Sequence, residues 1–247
     1  MGIESFFRWL ADTQGINVSV VYDAYDRAHF LYGLWTTAWL SIVAGALSIV
    51  IGLIGTALLT APVRPLRWAS RAYVEAFRNT PPLVQLLFFY FAVGGLLPTV
   101  RDSYGASVPL VSNAGWAVVS FSLFAGAFNV EIFRSGLEAV PRATEEAAEA
   151  LGYTRLQALR HVALPLALRV CLPALGNNLV NLVKTTSLAY AIAVPELLYA
   201  SSEIWGESMN VRETMNAMLL AYILLIALLV WALHRFERAL RIPGWSP

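Results

Sequence analysis

Thirty-three consecutive residues, Phe30–Pro62, contain no Asp, Glu, Lys or Arg. About 20 apolar residues suffice to cross a bilayer as a helix, a form that satisfies its own backbone polar groups in lipid. A signal-peptide core is shorter, so this run reads as a retained membrane anchor. Gly45, Gly52 and Gly55 stud it, as expected where helices approach closely in lipid. Four more apolar stretches predict an all-α integral membrane protein of about five spans, at 33–61, 82–98, 114–134, 173–195 and 214–234. Residues 1–29 hold no compact apolar core followed by a cleavage site. They read as an external segment, either an interfacial helix anchored by Phe6, Phe7, Trp9 and Leu10 or a loose tail. The transmembrane domain is expected over 30–240 and a tail over 241–247.

Composition narrows the class. The chain is 58% hydrophobic and 13% charged, against about 25% charged in soluble proteins. A net charge of +1 gives no basis for binding nucleic acid. The one cysteine, Cys171, excludes an internal disulfide and a cysteine metal cluster, and reads as a small buried hydrophobe. Orientation follows from the arginines. Twelve fall on one side of the predicted spans: Arg64, Arg67, Arg71 and Arg78; Arg134, Arg142, Arg155, Arg160 and Arg169; Arg235, Arg238 and Arg241. Four fall on the other: Arg8, Arg27, Arg101 and Arg212. The N terminus is therefore expected outside and the C terminus inside. The charged segment Glu196–Glu213 reads by default as a solvated outer loop, with contact to a soluble partner as the alternative.

Between the third and fourth spans lies PRATEEAAEALGYTRLQALRHVALP, Pro141–Pro165. Pro141 suits a first helical turn, and Glu145, Glu146 and Glu149 lie toward the positive end of the helix dipole. Ala147, Ala148 and Ala150 favour a helix and leave a thin face for close approach. Gly152 stands where a left-handed residue stops a helix. A second run, Thr154–Val162, is expected to end before Pro165. The order is Glu146-Ala147-Ala148, three residues, Gly152, nine residues, then Val162-Ala163-Leu164-Pro165.

That spacing resembles the EAA loop of ABC importer permease subunits, whose cytoplasmic coupling helix docks in a groove of a separate ATPase. Tyr73–Gln85 (YVEAFRNTPPLVQ), with Arg78, Asn79, Thr80 and Pro81, resembles the opening of the second span in polar amino acid permeases. Phe128–Pro141, Asn181–Leu197 and Arg238–Gly244 resemble further segments of the same histidine/glutamate/glutamine/arginine/opine group. The resemblance implies a type I importer fold with the coupling hairpin at 138–170. It implies an ATPase dimer, a second permease subunit, identical or paralogous, and an extracytoplasmic binding protein that delivers a polar amino acid. It places the chain in the bacterial inner membrane and assigns coupling to Glu146, Ala147, Ala148, Gly152, Leu164 and Pro165. The chain would bind no cofactor, leaving ATP and Mg to the partner ATPase. Consistent with this, no phosphate-binding glycine loop precedes Lys184, the sole lysine.

Charges within spans are functional candidates by default, since each costs about 2.5–3.5 kcal/mol at the bilayer centre. Glu131 lies near the inner end of the third span. Lys184 lies about 15 Å into the fourth. Asn177, Asn181, Lys184 and Ser187 share one helical face by their 4-3-3 spacing. Asn129, Glu131, Asn181, Lys184, Thr185, Ser187 and Tyr190 are candidates to line a translocation path, where a zwitterion needs partners of both signs. The alternative is a structural Glu131–Lys184 pair. No Ser–His–Asp arrangement is recognisable, and His29, His161 and His234 read as structural. Two competing functions are an ion-gradient-driven carrier, against which no inverted repeat is visible, and a membrane scaffold.

Overall fold

The computed structural model describes residues 2–101 and 103–239. The expected tail at 241–247, Arg241 and part of the Arg238–Gly244 motif lie outside them. The elements run α1 (Ile3–Gln14), α2 (Ser19–Tyr22), α3 (Ala24–Thr60), α4 (Arg64–Arg78), α5 (Pro82–Leu87), β1 (Thr99–Arg101), β2 (Ser107–Pro109), α6 (Asn113–Glu138), α7 (Arg142–Ala150), α8 (Arg155–Ala158), α9 (Leu164–Thr185), α10 (Leu197–Ser208) and α11 (Val211–Ala239). The chain divides into two compact units. The first takes in the chain up to Ala44 with Pro82–Phe121 and Leu182–Leu228; the second takes in Gly45–Pro81, Ser122–Asn181 and the chain from Leu229.

Among the described residues, four helical stretches are long and apolar enough to cross a membrane: Ala24–Thr60, Asn113–Glu138, Arg155–Ile192 and Val211–Ala239. The predicted second span is shorter, an apolar helix over Pro82–Leu96. Its α-helical start passes into a wide π turn at Phe88–Val93 and a tight turn at Gly94–Leu96. The expected loop before it is largely the fifteen-residue helix α4. Pro65 in its first turn lacks only an N–H that would be unpaired there. Its buried side is Ser70, which donates to Gly55 O, and Val74.

Several boundaries differ from expectation. The first long helix starts at Ala24, inside the segment read as external. Residues 3–14 form a helix whose residues are all at least partly exposed. The chain is not wholly α-helical: β1 and β2 pair antiparallel, with Val100 opposite Val108. Pro165 does not end a helix. Helical structure runs from Arg155 to Ile192, because Leu159–Ala163 widens into a π turn in which Leu164 N–H donates to Leu159 O, five residues back. The wider ring suits a proline that offers no N–H and crowds the preceding turn.

Nor is Glu196–Glu213 a solvated loop. In the first unit α10 packs its Leu197 and Ile204 with Phe30 of α3, bordered by Leu34, Met218 and Tyr222. Gly33 lies so close that a Cβ there would meet Ala200 Cβ at 2.7 Å and Leu197 Cα at 3.1 Å. Glu196 is fully buried and caps α10, accepting from Leu198 and Tyr199 N–H, both at 2.9 Å. Tyr222 Oη donates to the same carboxylate at 3.0 Å. The start of the chain is tied to the α10–α11 turn, where Asn210 Nδ2 donates to Asn17 O and Ser19 Oγ.

Candidate functional site

The second unit holds the polar segment between α6 and α9. Pro141 is the N-cap of α7, so the helix begins one residue later than expected. Gly152 adopts φ +91°, a conformation that glycine reaches without a Cβ penalty. Its N–H donates to Glu149 O at 2.9 Å, and Tyr153 N–H donates to Ala148 O at 3.1 Å. These are the two bonds of a Schellman stop. α8 follows with a capping box: Thr154 N–H donates to Gln157 Oε1, and Gln157 N–H donates to Thr154 Oγ1. Glu145, Glu146, Ala147 and Glu149 are exposed, as are Leu151 (81%) and Leu156 (73%). Ala148 departs from expectation. It is buried, as are Ala158 and Ala163, so its small side chain serves the hairpin's inner contact and not an outer one. Leu164 is exposed and Pro165 half-buried.

The hairpin is anchored to α6 and α9. Val140, Ala163 and Ala167 form a small core with Leu137 and Leu166. Gly136 packs against Cys171 Sγ, and a Cβ there would also meet Ala167 O at 2.8 Å. Cys171 is buried, and its thiol donates to Ile132 O.

The path candidates separate into groups. Asn177, Asn181 and Lys184 form an exposed face of α9, continued by exposed Tyr190 in the tight helical turn Thr186–Ile192. Ser187 is half-buried and donates to Lys184 O. Thr185 is turned inward and buried. Asn129 is only 1% exposed; its amide donates to Ser48 Oγ at 3.0 Å and accepts from Asn178 Nδ2 at 2.8 Å. Asn129 therefore cross-links α3 and α9 through α6 and does not line an open path. Glu131 finds its cations in its own unit. Arg134 binds its Oε2 at 2.7 Å and also binds Glu138, while Arg78 stands 3.9 Å away.

Sequence reading missed the surroundings of Glu131. Arg71, Val74, Glu75 and Arg78 of α4, with Leu59, Asn79 and Glu131, line an open cleft of about 290 Å3. Arg78 stacks over the Phe128 ring at 5.3 Å. Asn79 caps α4, its N–H donating to Glu75 O, and Thr80 Oγ1 donates to Ala76 O. So Arg78, Asn79, Thr80 and Pro81 end α4 before Pro82 starts α5. Tyr73 Oη donates to Leu123 O at 2.6 Å, and burial pushes its phenol above the usual range, keeping it a donor. The detectable signal was the i, i+4, i+7 spacing of Arg71, Glu75 and Arg78. Among the described residues, no three His, Cys, Asp or Glu side chains gather so as to hold a metal.

Residues 48–242 match the family described as binding-protein-dependent transport system inner membrane component. The chain belongs to that family. It is 29% identical over 228 residues to the probable glutamine ABC transporter permease protein GlnM of Bacillus subtilis, covering 91% of this chain and 98% of that one. It is 32% identical to the glutamate/aspartate import permease protein GltJ of Escherichia coli K12, over 86% of this chain and 87% of the relative. It is 33% identical to the glutamine transport system permease protein GlnP of the same strain, over 85% and 92%. Its structure superposes on a chain from a crystal structure of an amino acid ABC transporter with histidines at TM-score 0.76 and 27% identity, covering 86% of this chain and 94% of that one. A chain of the inward-facing MetNI methionine ABC transporter shares the fold at TM-score 0.70 and 23% identity, covering 89% and 100%. The family match leaves the ion-gradient carrier and scaffold readings without support.

Proposed function

We propose that this chain is one permease subunit of an ATP-driven importer that moves a polar amino acid into the cytoplasm. The observation that carries the reading is the hairpin from Pro141 to Ala163. Its first helix is closed by a complete Schellman stop and buries only Ala148, and the hairpin presents Glu146, Ala147, Leu151 and Leu156 outward. A partner ATPase that uses ATP and Mg grips this surface, with Leu164 and Pro165 carrying its movement into α9. The relatives named for glutamine and for glutamate/aspartate support the substrate class. The chain crosses the inner membrane five times, the second crossing being the short helix Pro82–Leu96, with the N terminus outside by the arginine bias. Asn181 and Lys184, with Ser187 and Tyr190, line the path that a second permease subunit completes, and a binding protein delivers the substrate. The test is reconstitution with the ATPase and binding protein in proteoliposomes. ATP-dependent uptake of a labelled polar amino acid is the expected result; ATPase that fails to associate with the chain refutes the reading. A thiol at Glu149→Cys, labelled only from the outer side of intact cells, refutes the orientation.

A further inference from the structure

We infer that the apolar cleft between α3 and the start of α9 holds an acyl chain of an anionic phospholipid of the inner leaflet, with its headgroup at Arg67. This rests on the importer reading for the leaflet and for the face of α9 that meets a second subunit.

The cleft lies within the second unit. Its floor is buried Phe133, Ala167 and Cys171, and exposed Leu53, Leu164 and Leu168 form its walls. Leu159 joins Leu164 there because of the π turn. In an α-helix two residues five apart would stand about 140° apart around the axis; the wider turn brings both to one cleft. The hydroxyls and thiol bordering the space are turned to backbone carbonyls. Thr56 Oγ1 donates to Gly52 O at 2.8 Å, with Val130 O at 3.0 Å, Thr60 Oγ1 donates to Thr56 O at 3.0 Å, and the Cys171 thiol donates to Ile132 O. What the cleft presents is hydrocarbon, so its occupant is apolar. The volume of about 190 Å3 is the space of roughly six liquid waters, room for part of an acyl chain. Two observations choose lipid over a protein chain. Asn177, Asn181 and Lys184 form the α9 face assigned to the path shared with a second subunit. They follow Leu164, Leu168 and Cys171 by the same thirteen residues, a turn of about 140° around the helix, so the cleft faces away from that subunit. Its inner rim is also basic. Arg67 Nη1 donates to Ala61 O at 3.1 Å, one residue past Thr60, which lines the cleft. That engages one of three nitrogens in a guanidinium whose fork suits a phosphate, and exposed Arg160 follows Leu159. The cytoplasmic leaflet carries anionic headgroups that attract basic residues at a membrane edge. A chain seated here touches α3 and both ends of the π turn, bracing the joint between the hairpin and α9.

The test uses the whole assembly, permease with its ATPase, stripped of lipid in detergent and resupplied with dioleoyl phosphatidylglycerol or dioleoyl phosphatidylcholine. Native mass spectrometry counts the lipid retained per permease chain. The wild type is expected to retain phosphatidylglycerol severalfold over phosphatidylcholine. Ala57→Trp, which fills the cleft, lowers retention of both severalfold. Arg67→Gln removes the preference for phosphatidylglycerol, and Leu228→Trp, at an exposed position of α11, changes neither. Equal retention of the two lipids by the wild type, or retention unmoved by Ala57→Trp, marks the lipid as an unspecific coat and overturns the inference. Should Ala57→Trp fail to assemble, Leu168→Trp fills the same space. The second measurement places a benzophenone on Leu168→Cys in a Cys171→Ala background, in membrane vesicles. Photolysis is expected to give a phospholipid adduct; an adduct with a second permease chain or with the ATPase means that protein covers the cleft, and overturns the inference. Lipid retention that depends on Ala57 and Arg67, in an assembly that imports no amino acid, refutes the importer reading and leaves the site standing.

Discussion

Replacing Gly152 by valine separates backbone conformation from contact. Gly152 sits at φ +91°, and a Cβ built on it meets no atom within 4 Å. The penalty is therefore conformational, about 1–3 kcal/mol for a side chain held in that region. The two bonds of the stop oppose it, each contributing about 1 kcal/mol net. A penalty of about 2 kcal/mol shifts the closed-to-open ratio of the turn roughly 30-fold, so the open turn becomes comparably populated. Ala148, Ala158 and Ala163 keep their inward contacts, and the melting temperature should move little. The outward surface of Glu146 and Leu151 loses its fixed geometry. Uptake and ATP hydrolysis, measured in the same proteoliposomes, should part company: initial uptake falls about twofold or more, while hydrolysis persists and responds less to binding protein. Gly152→Asn, which tolerates left-handed backbone, should transport nearly as the parent does, and Gly152→Ala should fall between. Equal transport by the valine and asparagine variants would show that this turn does not transmit the motion. Loss of folded protein in the valine variant would show that the turn is structural.

Three further outcomes are expected. Gly136→Ala drives a methyl into Cys171 Sγ and the Ala167 carbonyl, so overpacking of about 1–3 kcal/mol should lower the melting temperature in detergent. The backbone oxygen cannot give way, so Cys171→Ala should rescue only part of the loss. Glu196→Ala removes both caps from α10 and the acceptor of Tyr222; a cost of about 2 kcal/mol should appear as a lower thermal midpoint, and Glu196→Gln should recover part of it. Lys184→Met should leave expression and assembly intact on size-exclusion chromatography while abolishing uptake; loss of assembly would instead mark Lys184 as structural.

The polar segment was legible because its signals are local. Gly152 ends α7 for a reason that the chain carries within six residues, and the capping box of Thr154 and Gln157 is equally short-ranged. The reading failed at Pro165 because a π turn, five residues deep, lets a helix pass through a proline, and no single residue announces it. It failed at Glu196 because charge was taken as a mark of exposure. Thr37 Oγ1, which accepts from Leu197 N–H at 3.0 Å, and Tyr222 Oη lie far away in sequence. Glu131 was read as lining a path or pairing with Lys184, although Arg134 and Glu138 stand three and seven residues further on, at helical spacing.

Hydropathy, arginine bias and glycine placement by themselves determined the membrane-helical class, the expected orientation and the place of the hairpin. Each depends on transfer free energies or backbone preferences that act over a few turns. Only the tertiary structure decided that Ala148 faces inward, that Asn129 is consumed by Ser48 and Asn178, and that Arg71, Glu75 and Glu131 line one open cleft. Those outcomes depend on which helix lies against which, and side-chain partners chosen across 49 or more residues leave no periodic trace in the chain.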